Sequence, residues 1–161
     1  MAFNTERVTT APNVIKLYCL VGVLVIIFSV GAASVQPAGT GFVWSIAIAN
    51  LVLGIIQILI LGVEIDDIVF PRRGFFSWPL LECIVSIFFA ITHFISIWMC
   101  ANGANQGAVT AYTLAGIFSF IVSGAHVFNT VIFGQIWAAE QQNGPGQDGL
   151  IQFHGSSYGA P

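Results

Sequence analysis

Between residues 64 and 82 the chain reads EIDDIVFPRRGFFSWPLLE, and this one stretch holds Glu64, Asp66, Asp67, Arg72, Arg73 and Glu82. The whole chain of 161 residues has only four Lys or Arg and seven Asp or Glu. On either side of the stretch charge is absent for tens of residues. A water-soluble domain spreads charge over about a quarter of its residues, whereas this chain carries 7 % and gathers it into one loop and two tails. Such a distribution belongs to a chain that crosses a membrane several times.

With 57 % hydrophobic residues and 14 Phe, the length suits one domain. A bilayer core about 30 Å thick needs roughly 20 apolar residues of helix to cross it. Four stretches qualify: approximately 14–34, 42–63, 79–100 and 111–137. The fold class expected is therefore all-α, a polytopic four-helix transmembrane bundle. It divides into an N-terminal segment 1–13, a membrane domain 14–137 and a Gly-, Gln- and Ser-rich tail 138–161, which has too little apolar area to order itself. The first apolar run is too long for a signal-peptide core and no cleavage pattern follows it. No glycosylation sequon occurs.

Cations set the expected orientation. Arg7, Lys16, Arg72 and Arg73 fall in the N-terminal segment or the middle loop, while the connections 35–41 and 101–110 have none. Positive charge stays on the cytoplasmic side, so both termini and the middle loop are expected there. Lys16 and Tyr18 stand where a snorkelling cation and an interfacial aromatic are expected. The net charge of −3 argues against nucleic acid as a partner, which would call for a basic face.

The apolar spans carry polar exceptions at helical spacing. Asn50, Gly54 and Gln57 lie on one face of the second span, and Gly116, Ser119, Ser123, His126 and Thr130 step by three or four along the fourth. Small residues permit close approach and hydroxyls bond across helices, so both seams read as packing or partner interfaces; the sharper alternative is a polar pathway for an ion or proton. His93 and His126 invite a metal hypothesis. With the outer ends of their spans at Cys100 and Tyr112, they differ in depth by roughly 10 Å, too far for one zinc, so they read as separate packing residues and no metal or cofactor is expected. Glu82 is the one carboxylate placed to enter the membrane, with Arg72, Arg73 or a helix-end hydroxyl as its partner; the alternative is a simple interfacial position. The Asp66–Asp67 pair reads as a solvated loop feature beside Arg72 and Arg73.

Cys19 and Cys83 fall near the inner interface and Cys100 near the outer one, so no intrachain disulfide is expected. Cys19 and Cys83 are candidates for S-palmitoylation, set against the commoner reading of small buried thiols. Nothing supports catalysis: the chain has no HExxH, no phosphate-binding Gly loop, and no nucleophile with a base at its depth.

The stretches LLECIVSIFFAITHF and LAGIFSFIVSGAHVFNTVI, with the match carried by Glu82, Ala115, Phe118, Ser119 and Phe120, resemble the last two helices of the MARVEL domain. That family includes the myelin-and-lymphocyte type proteins, the physins and gyrins of vesicles, and occludin. The resemblance extends over most of residues 10–138 and implies four helices, cytoplasmic ends, short loops and no catalytic residues. The first outer connection has no room for the claudin Trp-Gly-Leu-Trp-Cys-Cys pattern, and the second lacks the tetraspanin Cys-Cys-Gly.

The function expected is non-enzymatic: organising membrane domains, vesicle traffic or membrane apposition through contacts with membrane lipids, including sterol-rich ones, and with other integral membrane proteins or further copies of itself. Its expected place is the plasma membrane or a vesicle membrane. The alternative is an accessory subunit of a channel, transporter or cell-junction complex, docking through exposed small-residue faces. A channel in its own right would need a water-accessible lumen.

Overall fold

A computed structural model of the protein describes residues 3–70 and 76–142. Arg72, Arg73 and the tail beyond residue 142 lie outside the described residues.

Asn4 opens the first element by accepting the Arg7 backbone N–H at 3.0 Å, which starts the short helix α1, Thr5–Thr9. Helix α2, Val14–Gly31, begins at Asn13, whose side chain turns back to donate to the Arg7 carbonyl at 3.1 Å instead of capping its own helix. Helix α3, Thr40–Val63, starts after Gly39, which sits at φ 99°. Only glycine takes that conformation without strain, and a Cβ there would lie 2.7 Å from Met99 Sδ. The single turn α4, Asp66–Val69, then leads toward α5, Trp78–Asn105, which has Pro79 in its first turn. Proline has no N–H to lose in a first turn. Helix α6, Val109–Gln142, completes the chain.

Helices α2, α3, α5 and α6 are each long and apolar enough to cross a membrane. At 18, 24, 28 and 34 residues they are about 27 to 51 Å long at 1.5 Å per residue. The ranges differ from the sequence expectation chiefly at the connection between the third and fourth spans. ANGAN reads as a loop by its Gly and Asn content, yet α5 continues through it to Asn105 and only residues 106–108 link the hairpin. Gly103 is the reason: its missing side chain makes room for the Tyr112 ring, 2.7 Å from where a Cβ would stand. At the other end α6 runs past Trp137 to Gln142.

The four long helices form a closed antiparallel ring. α6 packs most extensively on α5 and then on α2, while α2 leans on α3 and α3 closes more lightly on α5. Close approach uses small residues, as at Gly22, where Val122 leaves no room for a Cβ, and Gly54, where Leu20 does the same. The half of the bundle toward the connections 32–39 and 106–108 is filled by Val23, Ile26, Val30, Val43, Ala47 and Val122. At the opposite end a second apolar cluster, Val8, Leu61 and Trp78, closes the bundle beneath α1. The outer faces carry Phe28, Leu59, Phe88, Phe94, Phe120 and Phe128, all exposed on the isolated chain. With apolar groups covering its outside, the bundle has lipid as its natural solvent.

Candidate functional site

Polar side chains collect inside the ring, between the two apolar clusters and beside the lower one. The outermost pair joins the N-terminal segment to the turn after α3. Arg7 donates to Asp66 from both terminal nitrogens, at 2.9 and 2.6 Å, and Asp66 is buried. Two parallel bonds fix a guanidinium against a carboxylate in one geometry. Asn4 adds a bond from its amide to Glu64 at 2.7 Å and a backbone bond to the Gly62 carbonyl at 2.8 Å. Asp66 is thus no solvated loop residue, as the sequence suggested, because α1 folds across the bundle end and brings its own cation.

One turn deeper Lys16 of α2 meets Glu82 of α5, Nζ to Oε2 at 3.0 Å, with side chains 6 % and 1 % exposed. The ammonium also stands 4.7 Å from the centre of the Phe133 ring on α6, an attraction that strengthens away from water. Two expectations are corrected here. Lys16 does not snorkel to the surface, and the described partner of Glu82 is Lys16. A lysine at the end of an apolar helix gives no sign of which helix will neighbour it, so the pairing exists only in the tertiary structure. Beside the pair, Asn129 of α6 donates to Ser86 Oγ of α5 at 2.7 Å. Ile15, Lys16, Cys19, Gln57, Glu82, Val85, Ser86, His126 and Asn129 enclose a cavity of about 10 Å3.

At mid-bundle a histidine pair is bridged by one amide. Asn50 Nδ2 of α3 lies 2.9 Å from His93 Nε2 of α5 and 3.0 Å from His126 Nε2 of α6. An amide nitrogen carries two hydrogens and no acceptor site, so with this group facing both rings each histidine accepts at Nε2 and is neutral, with its proton on Nδ1. The rings stack 6.2 Å apart at 10°, and Phe89 lies 5.4 Å from His126. The sequence reading placed them roughly 10 Å apart in depth as separate residues. That estimate ended the third span at Cys100. Counted from the real ends, Asn105 and Val109, the difference falls to roughly 7.5 Å along the axis, within reach of a common partner.

Of the two seams, Asn50, Gly54, Ser119, Ser123 and His126 are buried between helices, and Gln57, Gly116 and Thr130 are half-buried. Ser123 donates to the Ala90 carbonyl at 2.8 Å, and Thr130 donates to its own helix at His126 O. The five buried ones face neighbouring helices of the ring. Cys19 is buried at the cavity and Cys83 is half-buried, its Sγ 3.8 Å from the Thr130 carbonyl. All three cysteines are free. Toward the far end Thr40 and Tyr112 hydroxyls approach to 2.7 Å. Among the described residues no three of His, Cys, Asp and Glu are grouped so as to hold a metal ion.

Each cation described in this interior faces a carboxylate, so the buried charge cancels locally. That matters because an unpaired ion in a membrane interior is expensive. The chemistry on offer is the tying together of four helices, with a polar centre enclosed by apolar groups at both ends. No protein family, no curated protein and no solved structure matches the chain.

Proposed function

We propose that the protein is a non-enzymatic integral membrane protein, similar in plan to the MARVEL domain, with both termini cytoplasmic. It organises membrane domains, vesicle traffic or membrane apposition in the plasma membrane or a vesicle membrane, through lateral contacts with lipids and other membrane proteins. One observation carries this reading. Asn50, Gly54, Ser119, Ser123 and His126 of α3 and α6 are buried between helices, and the outside carries bulky Phe, Ile, Leu and Val side chains. A surface of that kind meets acyl chains over most of its area. The apolar plug of Val23, Ile26, Val30, Val43 and Val122 also argues against a lumen, since an aqueous pathway needs polar lining along its length.

The accessory-subunit reading draws on a different feature. A groove of about 370 Å3 opens between the outer ends of α5 and α6, lined among others by Ala101, Ala104, Thr113 and Gly116. Small residues at such a place let a partner span approach closely. Purification of the tagged protein in gentle detergent from its native tissue, with mass spectrometry of co-eluting proteins and lipids, separates the two. Recovery with enriched sterol or sphingolipid and no stoichiometric protein is the outcome expected; one stoichiometric membrane protein would overturn the lipid-organiser reading in favour of the accessory subunit.

A further inference from the structure

The ion pair of Lys16 and Glu82 and the histidine pair around Asn50 are separate clusters by their direct hydrogen bonds. The cavity of about 10 Å3 lies between them, because it is lined by Lys16, Glu82, Ser86 and Asn129 of the first group and by His126 of the second. Four polar atoms of its lining are buried and lack a hydrogen-bond partner: Lys16 Nζ, Glu82 Oε1, Asn129 Oδ1 and His126 Nδ1. Their residues are 6 %, 1 %, 4 % and 8 % exposed. A buried polar atom left unsatisfied costs about 1–3 kcal/mol, and here four of them surround one hollow.

We propose that this cavity is a binding site for one water molecule, which joins the two clusters into a single network across all four long helices. Size and chemistry agree on the ligand. A cavity must offer roughly 10–15 Å3 to the centre of a water and two to four polar partners to hold it, so this one takes a single water and nothing larger. The inventory of bonds is complementary. Glu82 Oε1 and Asn129 Oδ1 accept the two water hydrogens. The Nδ1–H of His126, which must carry a proton because Nε2 accepts from Asn50, donates to the water oxygen. Lys16 Nζ, 3.0 Å from Glu82 Oε2 as an ion pair but without a hydrogen-bond partner of its own, is the second donor to the water oxygen. A metal cation is the wrong occupant, since the Lys16 ammonium lines the same space and would repel it. The chain then runs Lys16, Glu82, water, His126, Asn50, His93, with contributions from α2, α5, α6 and α3.

The full chain, labelled with nitrogen-15 and reconstituted in phosphatidylcholine bilayers, tests the site by water-edited solid-state NMR. Magnetisation should pass from water to His126 Nδ1, and transfer to His93 Nδ1, which does not line the cavity, should be at least fivefold weaker. Absence of transfer at His126 would overturn the site. Equal transfer at both histidines would overturn it too, since that pattern belongs to a continuous hydrated path. The variant Cys19→Val adds about the volume of one water, roughly 30 Å3, to the wall without removing a polar partner. In it the His126 signal should fall to the level of His93, and a signal that survives unchanged counts against the proposal. The comparison of the two histidines in the unaltered protein decides the matter even if that variant does not fold.

Discussion

Lys16 shows how much one residue depends on its neighbour here. Buried beside Glu82, it is stable only while the carboxylate is present, because removing one member of a buried pair strands the other. Lys16→Met or Glu82→Leu alone should each cost about 3–5 kcal/mol, whereas the double change Lys16→Met with Glu82→Leu should recover most of that loss, apolar replacements of buried pairs being close to neutral. Thermal unfolding in detergent of Lys16→Met, of Glu82→Leu alone and of the double variant checks this; additive losses would show that the residues do not act as a pair. Asn50 is the second such case. Asn50→Leu leaves two Nε2 acceptors unsatisfied, at about 1–3 kcal/mol each, and the nitrogen-15 shifts of His93 and His126 should move together. A change confined to one ring would mean that the bridge is not shared. Neither pairing was legible in the sequence. The seam at Asn50 was visible from its spacing, but the seam alone does not say which rings it meets.

At the scale of the element, the hairpin of α5 and α6 is where sequence and structure part most. The apolar runs locate all four long helices within a few residues, since a run of that length has no other stable use in a membrane. The end of α5 is the exception, because composition alone reads Ala-Asn-Gly-Ala-Asn as a connection, and only the Tyr112 ring packed on Gly103 explains why the helix continues. Two glycine substitutions separate contact from propensity. Gly103→Ala places a Cβ 2.7 Å from the Tyr112 ring and should destabilise by about 1–3 kcal/mol, the usual cost of overpacking. Gly124→Ala meets nothing within 4 Å and should stabilise α6 by up to about 1 kcal/mol, through helix propensity. Unfolding midpoints that shift in the same direction would refute the contrast.

On the scale of the whole molecule, the thin scatter of charge foretold four spans, and the cations predict an orientation that labelling can test. Single cysteines placed at Gln36 and Gln106, in a background without Cys19, Cys83 and Cys100, should react with an impermeant maleimide only from outside the cell. A cysteine at Glu64 should react only after permeabilisation. The reverse pattern would refute cytoplasmic termini. The burial of Lys16 bears on how such a chain is made. Synthesis delivers Lys16 long before Glu82, so while α2 is entering the bilayer its cation has no carboxylate to meet. In that interval it behaves as a lone positive charge at the edge of an apolar helix, available to guide orientation. Once α5 arrives, Glu82 draws it inside. The pairing is thus a product of assembly, and a nascent chain stopped before residue 82 exposes a charge that the finished bundle hides.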